Sequence, residues 1–255
     1  SYITNLKASY PSVSLLNNEV KKLGELSNEV QNEELLNKTE DIIFKKKISL
    51  KKLSFQYKSI DKKVLNEISL DINKNDMVVF VGKTGSGKST IINLISGLLS
   101  PSSGSIYIDE KNINLNLSNW QKKIGLLTQN NYLLDDTVKN NIVFLHGENN
   151  LDEKKLNQCI EISGLKDLIK ELPNGINTMV GDKGNFLSSG QIQRIALARI
   201  LYKDPEVLIL DEFTSALDQD TEKSILENIK TYQKEKNKTI ILISHKIGPL
   251  KYCNK

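Results

Sequence analysis

Arginine is nearly missing from this 255-residue chain: 35 side chains are basic, yet only Arg194 and Arg199 carry a guanidinium. Arginine is the usual reader of base edges, so its scarcity argues against nucleic acid as a partner. A net charge of +4 is too weak a bias to argue the other way. Cysteine is scarce as well. Cys159 and Cys253 lie far apart, with no metal-ligand spacing and no disulfide framework, as suits two free thiols in a reducing compartment. Long apolar runs are absent too. Runs such as Met77–Val81 and Ile240–Ile243 fall far short of the roughly 18 residues of a bilayer span, so the expectation is a chain that does not cross a membrane by itself. The first residues lack the basic, apolar, small-residue order of a secretory signal. What is present suffices to fold. With 38% hydrophobic and 26% charged residues, global disorder is excluded and one large domain, or a domain with an appendage, is expected.

Residues 1–44 differ from the rest. Val13, Leu16, Val20, Leu23, Leu26 and Val30 recur at steps of three and four, the spacing of an amphipathic helix, and Pro11-Ser12 offers a start. We read 1–44 as a helical connector leading into a globular domain over 45–255. Ile48, Leu50, Phe55 and Tyr57 suggest a strand, with Leu53 out of alternation; Ile68, Leu70 and Ile72 suggest another with one wet face. Met77–Val81, Val207–Leu210 and Thr239–Ser244 read as strands buried on both faces of a parallel sheet. Helical patterns fall between them at Lys88–Leu99, Asp152–Ser163, Ser189–Tyr202 and Asp220–Glu235. This alternation predicts an α/β fold with a mainly parallel core sheet, and a helical subdomain over about 130–200.

Gly82-Lys83-Thr84-Gly85-Ser86-Gly87-Lys88-Ser89 satisfies G-x-x-x-x-G-K-[ST] at every required position. A buried strand precedes it, and an apolar helix (Ile91, Ile92, Leu94, Ile95) follows, as a phosphate-binding loop requires. Glycines let backbone N–H groups converge on phosphate, and the helix N-terminus adds partial positive charge. Lys88 is predicted to reach the β and γ phosphates, and the Ser89 hydroxyl to ligate Mg²⁺. A nucleoside-triphosphatase site also needs acids at the end of a buried strand. Val207-Leu208-Ile209-Leu210-Asp211-Glu212 supplies them: Asp211 to hold Mg²⁺ through its water shell, Glu212 to polarise the attacking water.

Leu187-Ser188-Ser189-Gly190-Gln191, followed by Arg194 and Ala196-Leu197-Ala198-Arg199, resembles the signature motif and helix of ATP-binding-cassette (ABC) ATPases. Other elements resemble the family's in order: Tyr57 the aromatic that stacks on adenine, Gln129 in Leu127-Thr128-Gln129 the Q-loop glutamine, Ser215-Ala216-Leu217-Asp218 the D-loop, and His245 the switch histidine. The resemblance implies a P-loop core with an antiparallel β portion on its N-terminal side. It implies ATP and Mg²⁺ as ligands, with Thr90 completing the cradle and Gln129 touching the metal through one end. It also implies a catalytic set of Glu212, His245, Gln129 and Lys88. Two copies would pair head to tail, Ser188, Gly190, Gln191 and Asp218 of one facing the nucleotide of the other. ATP would close the pair and hydrolysis release it.

The resemblance is incomplete at Ser189, where the family has glycine, at Ile192, where it often has arginine, and at Phe213, where a small residue or proline is usual. Ten residues follow His245, fewer than in family cassettes, so a trimmed domain with reduced stability is expected. Thr178-Met179-Val180-Gly181-Asp182-Lys183-Gly184 is similar to the loop with which exporter cassettes touch their membrane domain. Asn130–Val138 is similar to the corresponding segment of lipid-linked saccharide flippases. The implied protein is an exporter whose membrane domain belongs to the same polypeptide, with the cassette on the cytoplasmic face of the inner membrane. A soluble ABC ATPase and an importer cassette are the alternatives. The transported substrate (lipid-linked saccharide first, then lipid, peptide or drug) is not encoded in these residues.

Overall fold

The computed structural model describes residues 41–58, 61–144, 151–181, 184–246 and 248–254. The elements run β1 (Lys47–Phe55), β2 (Leu65–Asn73), β3 (Met77–Val81), α1 (Lys88–Ile95), β4 (Ser103–Ile108), β5 (Lys111–Asn112), α2 (Leu117–Lys122), β6 (Ile124–Leu127), α3 (Val138–Ile142), α4 (Glu153–Ile162), α5 (Lys166–Glu171), α6 (Ser189–Lys203), β7 (Val207–Asp211), α7 (Gln219–Lys236) and β8 (Thr239–Ser244). The three apolar runs lie side by side with β6 in one parallel sheet, ordered β3-β8-β7-β6. The early strands form a separate antiparallel sheet, ordered β2-β1-β4-β5.

Both faces of the parallel sheet are covered, which is why its strands lack a polar alternation. Successive side chains point to opposite faces. Met77, Val79, Leu208, Leu210, Ile240 and Leu242 join a core built with the helices α3 to α7. Val78, Val207, Ile209, Ile241 and Ile243 join a second core with α1, α2 and the antiparallel sheet. The sheet therefore fixes two cores at once, and the ends of β3, β7 and β8 converge on the same edge.

Local deviations have local causes. Leu53 is out of alternation because β1 is bulged there. Its pairing with β2 shifts register on both sides of Leu53, Lys52 turns to a φ of 46°, and Leu53 is thereby fully buried. Helix α1 stops at Ile95 rather than reaching Leu99. Gly97, at a φ of 71°, closes it with paired bonds from Leu98 N–H to the Asn93 carbonyl and from Gly97 N–H to the Leu94 carbonyl. Strands β4 to β6 and helix α2 were not foreseen. The folded unit also takes in Ile42 and Phe44, which the sequence reading placed in the leading segment; both are buried in the second core. The connector helix expected over residues 13–30 lies outside the described residues, as does His146. Among the described residues no helix is long and apolar enough to cross a membrane.

Trp120 locks the end of α1. It is fully buried, its indole N–H donates to the Ile95 carbonyl at 2.7 Å, and its ring meets Phe44 edge-on at 6.0 Å. That carbonyl is one of the last of α1 and needs a partner from outside the helix. Trp120→Ala should destabilise the fold by about 3–5 kcal/mol. Trp120→Phe, which keeps most of the ring but orphans the carbonyl, should cost about 1–3 kcal/mol. Urea denaturation measures both; equal losses would mean that ring volume contributes nothing.

Candidate functional site

Strand β3 ends at Val81 and the chain turns into α1 through Gly82–Gly87. Gly87 is the cap of α1, at a φ of 90°, and a Cβ there would approach a Leu65 methyl to 2.9 Å. Only glycine meets both demands. Because Gly87 has no side chain, it gives α1 no side-chain cap. The first amides of α1 thus point outward with no side chain to satisfy them, at the positive end of the helix dipole. Lys88 is buried and folds back on the loop, its ammonium donating to the Gly82 carbonyl at 2.8 Å and the Lys83 carbonyl at 2.9 Å.

The loop forms one wall of a cleft of about 320 Å³. Thr84, Gly85, Gly87, Lys88, Ser89 and Thr90 line it, and Tyr57, Glu212 and His245 lie in the same cleft. Tyr57 is anchored by an edge-on contact with Phe55 and by a 3.3 Å hydrogen bond between its hydroxyl and that of Thr90. Val64 also lines the cleft. The sequence reading missed it, since an isolated apolar residue before a strand gives no signal until the fold brings it beside Gly87.

Asp211 and Glu212 end β7. Burial pushes the Asp211 carboxyl above the ordinary carboxylate range, opposed by a hydrogen bond from Ser89 and by the charges of Lys88 and His245, while Glu212 adds to the push. One Asp211 oxygen is buried without a hydrogen-bond partner. A buried carboxylate oxygen with no donor, beside the Ser89 hydroxyl and below a phosphate loop, fits the protein side of a Mg²⁺ site; Mg²⁺ takes few protein ligands and the rest from phosphate and water. Among the described residues no group of three or more histidine, cysteine or acidic side chains could hold a metal.

Glu212 adopts a left-handed backbone, φ 50°, rare for a non-glycine residue and costing about 1–3 kcal/mol. The turn brings its carboxylate to 2.5 Å from His245 Nε2. His245 Nδ1 is 2.9 Å from the Gly82 carbonyl. Both imidazole nitrogens therefore face acceptors.

The remaining predicted residues lie elsewhere. Gln129 is exposed just beyond β6 and does not line the cleft. Ser188 caps α6, accepting from Gln191 N–H at 3.3 Å while the Gln191 amide oxygen accepts from Ser188 N–H at 2.8 Å. Ser188 and Ser189 are exposed and Gly190 is buried. Asp218 caps α7, accepting from Thr221 N–H at 2.9 Å, and that bond holds its carboxyl below the usual range. None of these residues lines the cleft. Of the departures from the family pattern, Phe213 is buried in the first core and Ile192 packs against it.

The model of the ABC transporter family matches residues 65–215. The ATP-dependent lipid A-core flippase of Vibrio vulnificus (strain CMCP6) is 38% identical over 207 residues, covering 81% of this chain and 35% of that protein. The alpha-hemolysin translocation ATP-binding protein HlyB of Escherichia coli O157:H7 is 38% identical over 209 residues, covering 82% of this chain and 29% of that protein. A solved structure of a bacterial Atm1-family ABC exporter with ATP bound superposes with a TM-score of 0.76 at 30% identity, covering 84% of this chain and 37% of that one. The chain thus spans about a third of the length of the relatives it matches. With its phosphate loop, Glu212 and His245 in one cleft, this chain belongs to the ABC transporter family.

Proposed function

We propose that this chain is the ATP-hydrolysing cassette of an exporter, working as a pair of copies on the cytoplasmic face of a membrane. The observation that carries the reading is the Glu212–His245–Gly82 chain beside the uncapped start of α1. ATP lies along the cleft with its base against Tyr57 and its phosphates on the loop amides. Lys88 leaves the loop carbonyls for the β and γ phosphates. Ser89 and Asp211 would hold Mg²⁺, which would supply charge neutralisation at the phosphate oxygens. The γ-phosphate takes the hydrogen bond of His245, and Glu212 is released to accept a proton from the attacking water. The new bond joins water oxygen to the γ-phosphorus, and the bond to the bridging β-phosphate oxygen breaks. Gln129, exposed on the loop after β6, moves toward the bound nucleotide.

Hydrolysis by a pair is supported by the second helix N-terminus. The capping box of α6 leaves the Ser189 and Gly190 amides without an intrahelical acceptor, and Ser188 is exposed where another copy can reach it. An exporter is supported by what the relatives are called and by an apolar surface. Tyr132, Leu134, Met179 and Phe186 are exposed on two segments joined by the Thr137–Met179 bridge. We assign this surface to the membrane domain of the same polypeptide. The transported substrate is chosen by that domain, and a lipid-linked saccharide is our first choice.

Three measurements test the reading. Glu212→Gln should lower phosphate release about 10²–10⁴-fold while ATP-dependent pairing, read by sedimentation, increases; normal turnover would remove Glu212 from the mechanism. Asp211→Asn should abolish hydrolysis yet raise the melting temperature at neutral pH without Mg²⁺. The sign follows from the raised pKa: the folded state disfavours the charged carboxylate, a penalty absent below the ordinary carboxylate pKa and fully developed above the raised one. The gain should therefore vanish in acid. Ser189→Gly should tighten ATP-dependent pairing and speed turnover, since it removes bulk where the partner's phosphate must approach; weaker pairing would make the Ser189 hydroxyl a contributor instead.

A further inference from the structure

The surface assigned to the membrane domain is fastened to α6 by a polar clamp of half-buried Arg199 and buried Asn141. Arg199 lies on α6 about three turns, roughly 16 Å, beyond Ser188. Its guanidinium makes three bonds of 2.7 Å: Nε to the Asn141 carbonyl, Nη2 to Asn141 Oδ1, and Nη1 to the Tyr132 carbonyl. Asn141 is fully buried. Its Oδ1 also accepts from Leu134 N–H at 2.8 Å, and its amide nitrogen donates to the Leu134 and Thr137 carbonyls, each at 3.0 Å. Two side chains thus satisfy the Tyr132 carbonyl and both backbone groups of Leu134, which lie outside any strand or helix. The loop carries Tyr132 and Leu134 outward while its backbone is held to α6.

We propose that Arg199, acting with Asn141, is the positioning residue that makes this docking loop and α6 move as one body, so that a push on Tyr132 or Leu134 is delivered to Ser188. The proposal rests on the exporter reading above. A fork of donors at fixed angles is what the clamp uses, and a lysine ammonium cannot reproduce it. The effect runs both ways, because coupling between two sites is reciprocal: pairing at Ser188 must register at Tyr132.

The test uses the whole chain carrying Glu212→Gln, so that pairing persists, and Tyr132→Trp as a reporter. Trp120, fully buried, supplies a constant background. With Arg199 intact, ATP and Mg²⁺ should pair the copies in sedimentation and shift the emission of the reporter. With Arg199→Lys added, pairing should persist while the emission shift falls about fivefold or more. An undiminished shift with normal pairing overturns the proposal. Loss of the shift and of pairing together assigns Arg199 to the stability of α6 and also overturns it. If neither background pairs with ATP, the exporter reading fails and takes the coupling with it. Should thermal melts show that Arg199→Lys does not fold, Asn141→Ser, which keeps the bond to the residue 141 carbonyl but frees the loop, is judged by the same criteria.

Discussion

The carbonyl of Gly82 is the point on which the site turns. It accepts from the ammonium of Lys88 and lies within hydrogen-bond distance of His245, so it joins the end of β3, the start of α1 and the loop after β8. Those elements meet there because β3 and β8 are neighbours in a parallel sheet, and parallel strands deliver their C-terminal ends to the same edge. β7 sits on the other side of β8 and brings Asp211 and Glu212 to that edge as well. Groups from three distant stretches of the sequence are therefore assembled by strand order: Lys88 rests on loop carbonyls and His245 on Glu212. A triphosphate competes for groups already positioned, and its oxygens replace acceptors that the protein provides meanwhile.

The N-termini of α1 and α6 are treated in opposite ways. α1 begins at a glycine with no side chain to cap it, and its amides are open to a ligand. α6 begins with a reciprocal Ser188–Gln191 box, so it is stable unliganded. The difference follows from what each helix rests on. α1 is held by Ile92, Leu94 and Ile95 in the second core and by Trp120 at its far end, and it tolerates an unsatisfied start. α6 has its start at the surface, where an uncapped end would fray.

Much of this was legible beforehand, for physical reasons that also explain the rest. β7 and β8 are apolar at nearly every position because both faces are buried, so their limits could be read almost to the residue. The loop Gly82–Gly87 was legible because its backbone demands glycine. α1 was read too long because Leu98 and Leu99 continue the apolar pattern past Gly97, and the left-handed turn at Gly97 outweighs that pattern. β4 and β6 were invisible because their apolar runs are short: Ser103-Gly104-Ser105 precedes Ile106, and Gly125 interrupts Ile124–Leu127. Val64 entered the cleft through a tertiary approach to Gly87 that no local pattern encodes. Gln129 was assigned by family likeness alone, since no local pattern around an exposed amide gives it a role.

The scarcity of arginine acquires a structural sense. Both arginines lie on α6, and both spend their guanidinium on backbone carbonyls of the segments packed against that helix: Arg194 on Gly164 at 2.8 Å, Arg199 on Asn141 and Tyr132. Burial lowers the pKa of each, for Arg194 against the pull of Asp218 and Glu171. Arg199 satisfies three acceptors at fixed angles, which the planar fork of a guanidinium allows. Several of the chain's lysines serve in single ion pairs that are at least partly exposed, such as Lys47 with Asp71 and Lys123 with Glu206. Lysine serves where a point charge suffices, and both arginines sit on the one helix that fastens neighbouring loop carbonyls, at Gly164, Tyr132 and Asn141.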